Sequence, residues 1–376
     1  MLNAKCPMRR NSSSYDRLLI GLVIGLSLFG LAMLLSASGP ASYQQYSDPL
    51  HFVRRQVLLG LLPGAIAFFI LSRLDYRKLR SLAFPALIAS IVLLVLVFLP
   101  GIGLKLGGSS SWIRIGSVAV QPSEFVKLAF LVYAAAWLSG RKESDARSLE
   151  DNMAFLGALG VIILLLVLQP DTGSMSVIAL TSLLMYFASG APVVWFAALG
   201  ALGLAGLFLL IKLTPYRATR FMTFLHPELD PQGVGYQINQ ALLAVGSGGF
   251  FGLGYGQSRQ KYLYLPEVQG DSIFAVIGEE LGFFLTVLFL AAAGLLVWRC
   301  FLAAKRAPDG FGRYLAIGAG SWIGVQAFVN VASMIGLIPM TGVTLPFVSY
   351  GNSATVSLFA ALGVVASVSR LGRANV

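Results

Sequence analysis

Residues 154–190 read AFLGALGVIILLLVLQPDTGSMSVIALTSLLMYFASG, which is two apolar runs, 154–169 and 173–190, parted by Pro170, Asp171 and Thr172. Neither run carries a charge, and each approaches the roughly 20 helical residues that cross about 30 Å of hydrocarbon. Working outward, eight further runs have the same character: 18–37, 55–73, 82–99, 123–139, 193–212, 272–298, 314–335 and 353–369. The expected fold is therefore an all-α polytopic membrane protein of ten transmembrane helices, with one long outer loop between helices 7 and 8. The composition agrees, because 57% of the 376 residues are hydrophobic and 11% charged, whereas a soluble domain carries about 25% charged residues. The 25 Phe, 13 Tyr and 5 Trp exclude a solvated, disordered chain.

Run 18–37 follows Arg9, Arg10 and Arg17 and ends in Ser36-Ala37-Ser38, as a signal peptide would, but it is too long for a cleaved apolar region and reads as a retained first helix. Cations in the short loops set the orientation. Segments 1–17, 73–80, 141–147, 299–313 and 370–373 hold 17 of the 27 Lys and Arg, so these face the cytoplasm and both termini lie inside. The imbalance serves topology and anionic lipid, not nucleic acid. Arg54 and Arg55 break the rule and read as snorkelling or ligand-facing. Cys6 and Cys300 lie beside basic, inside segments, so no disulfide framework is expected, and His51 and His226 make no zinc-type spacing. No repeat divides the chain. It reads as a single domain, with 1–17 a cytoplasmic tail and 213–271 a large extracytoplasmic loop expected to fold onto the membrane surface. Loop 100–122 is a second outer candidate, with Trp112 and Arg114 in a Gly/Ser-rich stretch.

P-loop, zincin and nucleophile-elbow motifs are absent, so no nucleotide is expected and an ATP-driven pump is disfavoured. Gly246, Gly248, Gly249, Gly252, Gly254 and Gly256 serve either as turn and close-packing glycines or as a path of backbone N–H groups for a pyrophosphate. Carboxylates near the membrane carry more weight, because burying an ionised group is costly. Glu124, Asp171, Asp271, Glu279 and Glu280 qualify. Glu124 and Lys127 share a helix face, as a structural ion pair or as the wall of a substrate cavity. Asp271, at the mouth of the eighth run, either caps that helix or stands as a general base under the outer loop.

At these residues a family resemblance emerges. Gln121-Pro122-Ser123-Glu124 with Lys127, Gly235-Tyr236-Gln237, Leu265-Pro266-Glu267 with Asp271 and Ile273-Phe274-Ala275, Gly278-Glu279-Glu280-Leu281-Gly282, and Leu345-Pro346-Phe347-Val348-Ser349-Tyr350-Gly351 resemble the SEDS family of FtsW, RodA and SpoVE. The resemblance is collinear from helix 2 to helix 10 and is closer to the division and sporulation branch than to the elongation branch. The chain departs from the family at Ser110-Ser111-Trp112, Gly270-Asp271-Ser272 and Gly351-Asn352-Ser353. The first lacks the usual Arg before the Trp, leaving Arg114 as a substitute.

The resemblance implies a multi-pass protein of the bacterial inner (plasma) membrane that polymerises lipid II, an undecaprenyl-pyrophosphate disaccharide-pentapeptide, into β-1,4 glycan at the outer leaflet. It implies an inverting transfer with Asp271 as the base. Glu124, Lys127, Trp112, Arg114, Gln121, Ser123, Asp171, Arg220, Glu267, Glu279 and Ser349 are the expected binding or supporting residues. Arg217, Arg259 and Lys261 are further cations in the right loop, for pyrophosphate or for lipid headgroups. It also implies a divalent cation, Mg or Mn, with its ligands unassigned, a class B penicillin-binding protein as transpeptidase partner, and division or elongation complex proteins. The alternatives are a transporter that flips lipid II without chemistry and a scaffold for division partners.

Overall fold

The computed structural model describes residues 15–106, 109–116, 118–141, 149–226 and 233–373. Cys6, Arg9, Arg10 and nearly all of basic segment 141–147 lie outside them. Each of the ten apolar runs is mostly helical, with run 55–73 divided among three helical segments and run 82–99 passing the end of its helix at Leu96. In chain order the helices are α1 (Arg17–Tyr46), α2 (His51–Arg55), α3 (Leu62–Arg73), α4 (Leu79–Leu96), α5 (Pro122–Gly140), α6 (Leu149–Leu168), α7 (Thr172–Ala188), α8 (Val193–Leu213), α9 (Pro215–Leu225), α10 (Val234–Ser247), α11 (Ile273–Lys305), α12 (Gly310–Met334) and α13 (Asn352–Arg373). A π-helical segment, Gln56–Leu61, joins α2 to α3 in one span. It precedes Pro63, whose missing N–H releases a carbonyl that the wider turn accommodates.

Seven of these helical spans are long and apolar enough to cross a membrane, and α6 and α7 contribute shorter apolar helices. The chain is a multi-pass membrane protein. Helix α1 runs 30 residues, nine past the expected end. Ser36, Ala37 and Ser38 are buried inside it, so the signal-like triplet is helix interior.

The most buried spans are those of α12 and α13. Helix α13 packs along α3 and α12 along α11, while α5 and α7 close the other side of α12. Helix α8 buries none of its residues and touches mainly α7 and α9.

Polar contacts gather one set of helix ends. Asp16 caps α1 and pairs with Arg299 of α11. Asp309 caps α12 through the Gly312 N–H and accepts from the Tyr76 hydroxyl at 2.7 Å and the Arg77 guanidinium at 3.0 Å. Arg370 donates to the Arg73 carbonyl. These are the ends that the cation count placed together, and the other end carries the large loops.

That opposite end is not all helix. Residues of loop 100–122 form a three-stranded antiparallel sheet, β1 (Gly103–Leu106), β2 (Ser109–Ile115) and β3 (Val118–Val120), in the order β1-β2-β3. The expectation of loop missed it because Gly/Ser-rich strands carry little apolar alternation. The long 213–271 loop holds α9 and α10, followed by a turn-rich segment.

Candidate active site

Helix α12 organises the site. Trp322, Gln326 and Asn330 are spaced by four, so they stack on one face, and all three are buried. The Gln326 carbonyl oxygen accepts from the Trp322 indole at 2.7 Å and from the Lys127 ammonium at 2.9 Å, while its amide nitrogen donates to the Thr344 carbonyl at 3.0 Å. Lys127 also pairs with Glu124 at 2.8 Å, both side chains being almost fully buried. Glu124 Oε2 has no hydrogen-bond partner. The cavity that Lys127 shares with Thr181, Ser182 and Trp322 is about 10 Å³, room for one water and no sugar.

One turn along α12, the Asn330 side-chain amide donates to the carbonyls of Asp271 at 2.8 Å and Val343 at 2.7 Å. Ser349 and the backbone of Tyr350 hold the same turn from a third segment, donating to the carbonyls of Gly270 and Gln269 at 2.7 Å each. Gln237 of α10 donates to Ser272 Oγ at 3.0 Å. Glu267, exposed and at φ 50, shapes the turn by accepting the Gly270 N–H through its carbonyl.

Asp271 does not cap α11. Ser272 occupies the cap position without a side-chain bond, and Asp271 Oδ1 is buried with no partner. Burial, reinforced by the nearby Glu267 carboxylate, pushes the Asp271 carboxyl up to about 6, against the opposing pull of backbone N–H groups and Arg220. A carboxylate with an unused oxygen and that titration range suits a general base near neutral pH.

A third group adjoins these two. Asp171 caps α7 through the Ser174 N–H at 2.9 Å and accepts from Ser123 Oγ at 3.0 Å and the Gln121 amide at 3.5 Å. Ser353 at the start of α13 accepts the Gln121 N–H at 3.1 Å. Gln121, Ser123 and Asp171 thus build the mouth of α5, next to Glu124.

Other expected residues are placed elsewhere. Glu279 accepts from Ser258 Oγ at 2.5 Å and from the Arg259 N–H at 2.9 Å. Glu280 pairs with Lys261 at 2.9 Å and accepts from Ser36 and from the N–H groups of Gly256 and Ser258. Of the glycine run, Gly256 gives its N–H to the Glu280 carboxylate, and Gly252 and Gly254 give theirs to the carbonyls of Gly248 and Glu280. The backbone of the run lies so close to α11 that a Cβ on Gly252 would stand 2.2 Å from the Glu280 carbonyl oxygen. Gly282, at φ 70, kinks α11 there. Glu279 and Lys261 are thereby engaged in contacts within the chain at the α11 kink.

Arg217 is also committed, to Thr214 Oγ1 and the Val167 carbonyl, and Arg259 is exposed. Arg220 donates to the Met340 carbonyl at 3.2 Å and remains close enough to act on Asp271. In β2, Ser111 and Ile113 are buried, so the half-buried Trp112 and the exposed Arg114 take the other face. No described contact brings Trp112 or Arg114 to Asp271. Arg54 pairs with Asp48 at 3.4 Å on an exposed surface.

Sequence reasoning passed over Gln326 and Asn330. Uncharged amides do not stand out in an apolar run, but their spacing of four was a usable signal.

A family profile described as "Cell cycle protein", covering FtsW, RodA and SpoVE, matches residues 16–374. Stage V sporulation protein E of Bacillus subtilis (strain 168) is 41% identical over 369 residues, 97% of this chain and 100% of that one. A probable peptidoglycan glycosyltransferase FtsW of Trichlorobacter lovleyi is 38% identical over 95% of this chain and 93% of its own. Among solved structures, a chain of a peptidoglycan synthase complex that coordinates polymerization and crosslinking superposes with TM-score 0.78 at 30% identity, covering 96% of this chain and 98% of that one. Rod shape determining protein RodA of Thermus thermophilus superposes with TM-score 0.71 at 31% identity, over 95% and 97%.

Proposed function

The chain belongs to the FtsW/RodA/SpoVE family of cell cycle proteins, and from that premise we propose that it polymerises lipid II at the outer leaflet with Asp271 as general base. It is a peptidoglycan glycosyltransferase of cell division or sporulation. The observation that carries the proposed mechanism is the Asp271 carboxylate, whose turn is held from two segments, by Asn330 of α12 and by Ser349 and Tyr350, while its own Oδ1 stays without a partner. In the reaction, the acceptor sugar's 4-hydroxyl oxygen bonds to the donor's anomeric carbon and its proton passes to Asp271. The bond from that carbon to the diphosphate oxygen breaks, the polyprenyl diphosphate leaves with the electron pair, and α configuration becomes β.

Gln121, Ser123 and Asp171 supply hydrogen bonds at the mouth of α5. Arg220, close enough to act on Asp271, supplies positive charge where the diphosphate would lie, while the buried Lys127 acts from behind through Glu124 and Gln326. Among the described residues no three His, Cys, Asp or Glu cluster, so a divalent cation would arrive largely on the substrate's diphosphate, as Mg²⁺ commonly does. Glu124 is buried and already paired with Lys127, so it does not fit as a ligand; when bound, the cation would neutralise charge on the leaving group.

The reading extends to a bacterial inner membrane location with both termini in the cytoplasm, and to a class B penicillin-binding protein as the partner that crosslinks the strands. The decisive test supplies purified chain in liposomes with labelled lipid II. A muramidase-sensitive glycan ladder supports the polymerase, whereas headgroup translocation with no polymer would establish the transporter instead.

A further inference from the structure

We infer that Asn330 is the positioning residue of the reaction: its side-chain amide fixes the backbone of Asp271 and thereby aims the carboxylate at the acceptor hydroxyl. This rests on the polymerase reading above. Asp271 Oδ1 has no hydrogen bond of its own. The carboxylate's hydrogen bonds are local, to the backbone N–H groups of Asp271 and Ser272, so it is aimed mainly by the backbone that bears it. Asn330 is fully buried, and both N–H groups of its amide are spent, one on the Asp271 carbonyl and one on that of Val343. Two carbonyl acceptors also fix which way the amide points, because the reverse orientation would set oxygen against oxygen. The side chain thus locks α12, the entry to α11 and the 343–349 loop together at the reacting group. One turn away, Gln326 does the same for Lys127 and Thr344, so a single helix face registers both charged parts of the site. Misplacement of a catalytic group by about 1 Å can cost on the order of 100-fold in rate.

The test measures kcat, KM for lipid II and the pH dependence of kcat for the purified chain, with Asn330→Ala, Asn330→Asp and the neighbouring Ser333→Ala. The Ser333 hydroxyl bonds only the Asn330 carbonyl among the described contacts. Asn330→Ala should lower kcat about 10- to 100-fold with KM within about twofold. Its acid limb should move down by about half a unit or more as water reaches Asp271, whose surroundings then leave Glu267 and Arg220 as the charges acting on it. Asn330→Asp keeps the size but adds a like charge, so its limb should move up. Ser333→Ala should match the parent chain. The opposite limb shifts distinguish positioning from a loss of folded protein, which lowers amplitude alone, and either variant decides if the other fails to insert. Unmoved limbs, with kcat within twofold or falling only in step with folded protein, would overturn the inference. A parent chain that makes no glycan at all would instead overturn the polymerase reading.

Discussion

At the scale of single residues, the titration of Asp271 fixes an expected pH profile. The base must be ionised, and burial raises its carboxyl from the ordinary 3.8 to about 6. Glycan synthesis should therefore fall as pH drops through about 6, reaching roughly a tenth of its plateau one unit lower. An acid limb near pH 4 would mean that Asp271 is solvated or not the base. The same shift has a stability consequence. A carboxyl whose folded value is raised favours the folded state while protonated, at acid pH, and that contribution is lost as pH rises through about 6. Asp271→Asn should accordingly raise Tm at pH 7.5 relative to the parent and narrow the difference toward pH 4.

The charged members of this site were legible in the sequence because a carboxylate or ammonium in an apolar run has few inexpensive explanations. Whether Asp271 caps α11 was not legible. Capping depends on where the first helical N–H groups point, and that was settled by a turn folded around Glu267 and gripped by Asn330 and Ser349.

At the scale of elements, the buried pairs separate working charge from structural charge. Glu124 and Lys127 hang from α5, and Lys127 reaches α12 at the Trp322 ring, 5.3 Å away, and at Gln326, whose carbonyl oxygen needs a donor. The charge-swapped protein, Glu124→Lys with Lys127→Glu, would set a carboxylate against that oxygen. It should be as inactive as either single alanine variant while still inserting; robust polymerisation by the swapped protein would return the pair to a structural role. Glu280 is the converse case. Its carboxylate joins Ser36 of α1, Lys261 and the glycine-rich loop at the α11 kink. Glu280→Gln should lose about 3–5 kcal/mol by leaving Lys261 buried and unpaired, read as a lower midpoint of unfolding, with the acid limb of activity unmoved. A limb shift would bring Glu280 back toward the chemistry. The glycine run illustrates why spacing alone left two readings open. Turn glycines and phosphate cradles share the same residue types, and only the folded chain shows Gly248 and Gly252 packed against the backbone of α11.

For the whole molecule, the apolar runs were readable because hydrocarbon thickness sets a minimum apolar length. The sheet and the buried amide face of α12 were hidden because neither changes hydropathy. The ends of α1, α4, α11 and α12 joined by Asp16, Arg299, Asp309 and Arg77 are the ones with excess cations, so reporters fused within 300–310 should map to the cytoplasm and a reporter after residue 240 to the outside. A cytoplasmic reporter after 240 would leave Asp271 on the wrong side of the membrane for an outer-leaflet substrate. The most direct measurement compares the purified chain with its Asp271→Asn variant on lipid II, scoring bound substrate and polymer in the same samples. The parent should make muramidase-sensitive glycan, and the variant should bind lipid II comparably yet polymerise at least about 100-fold more slowly, the lower end of what a positioned base contributes. Polymer from the variant at near the parent's rate would contradict the account.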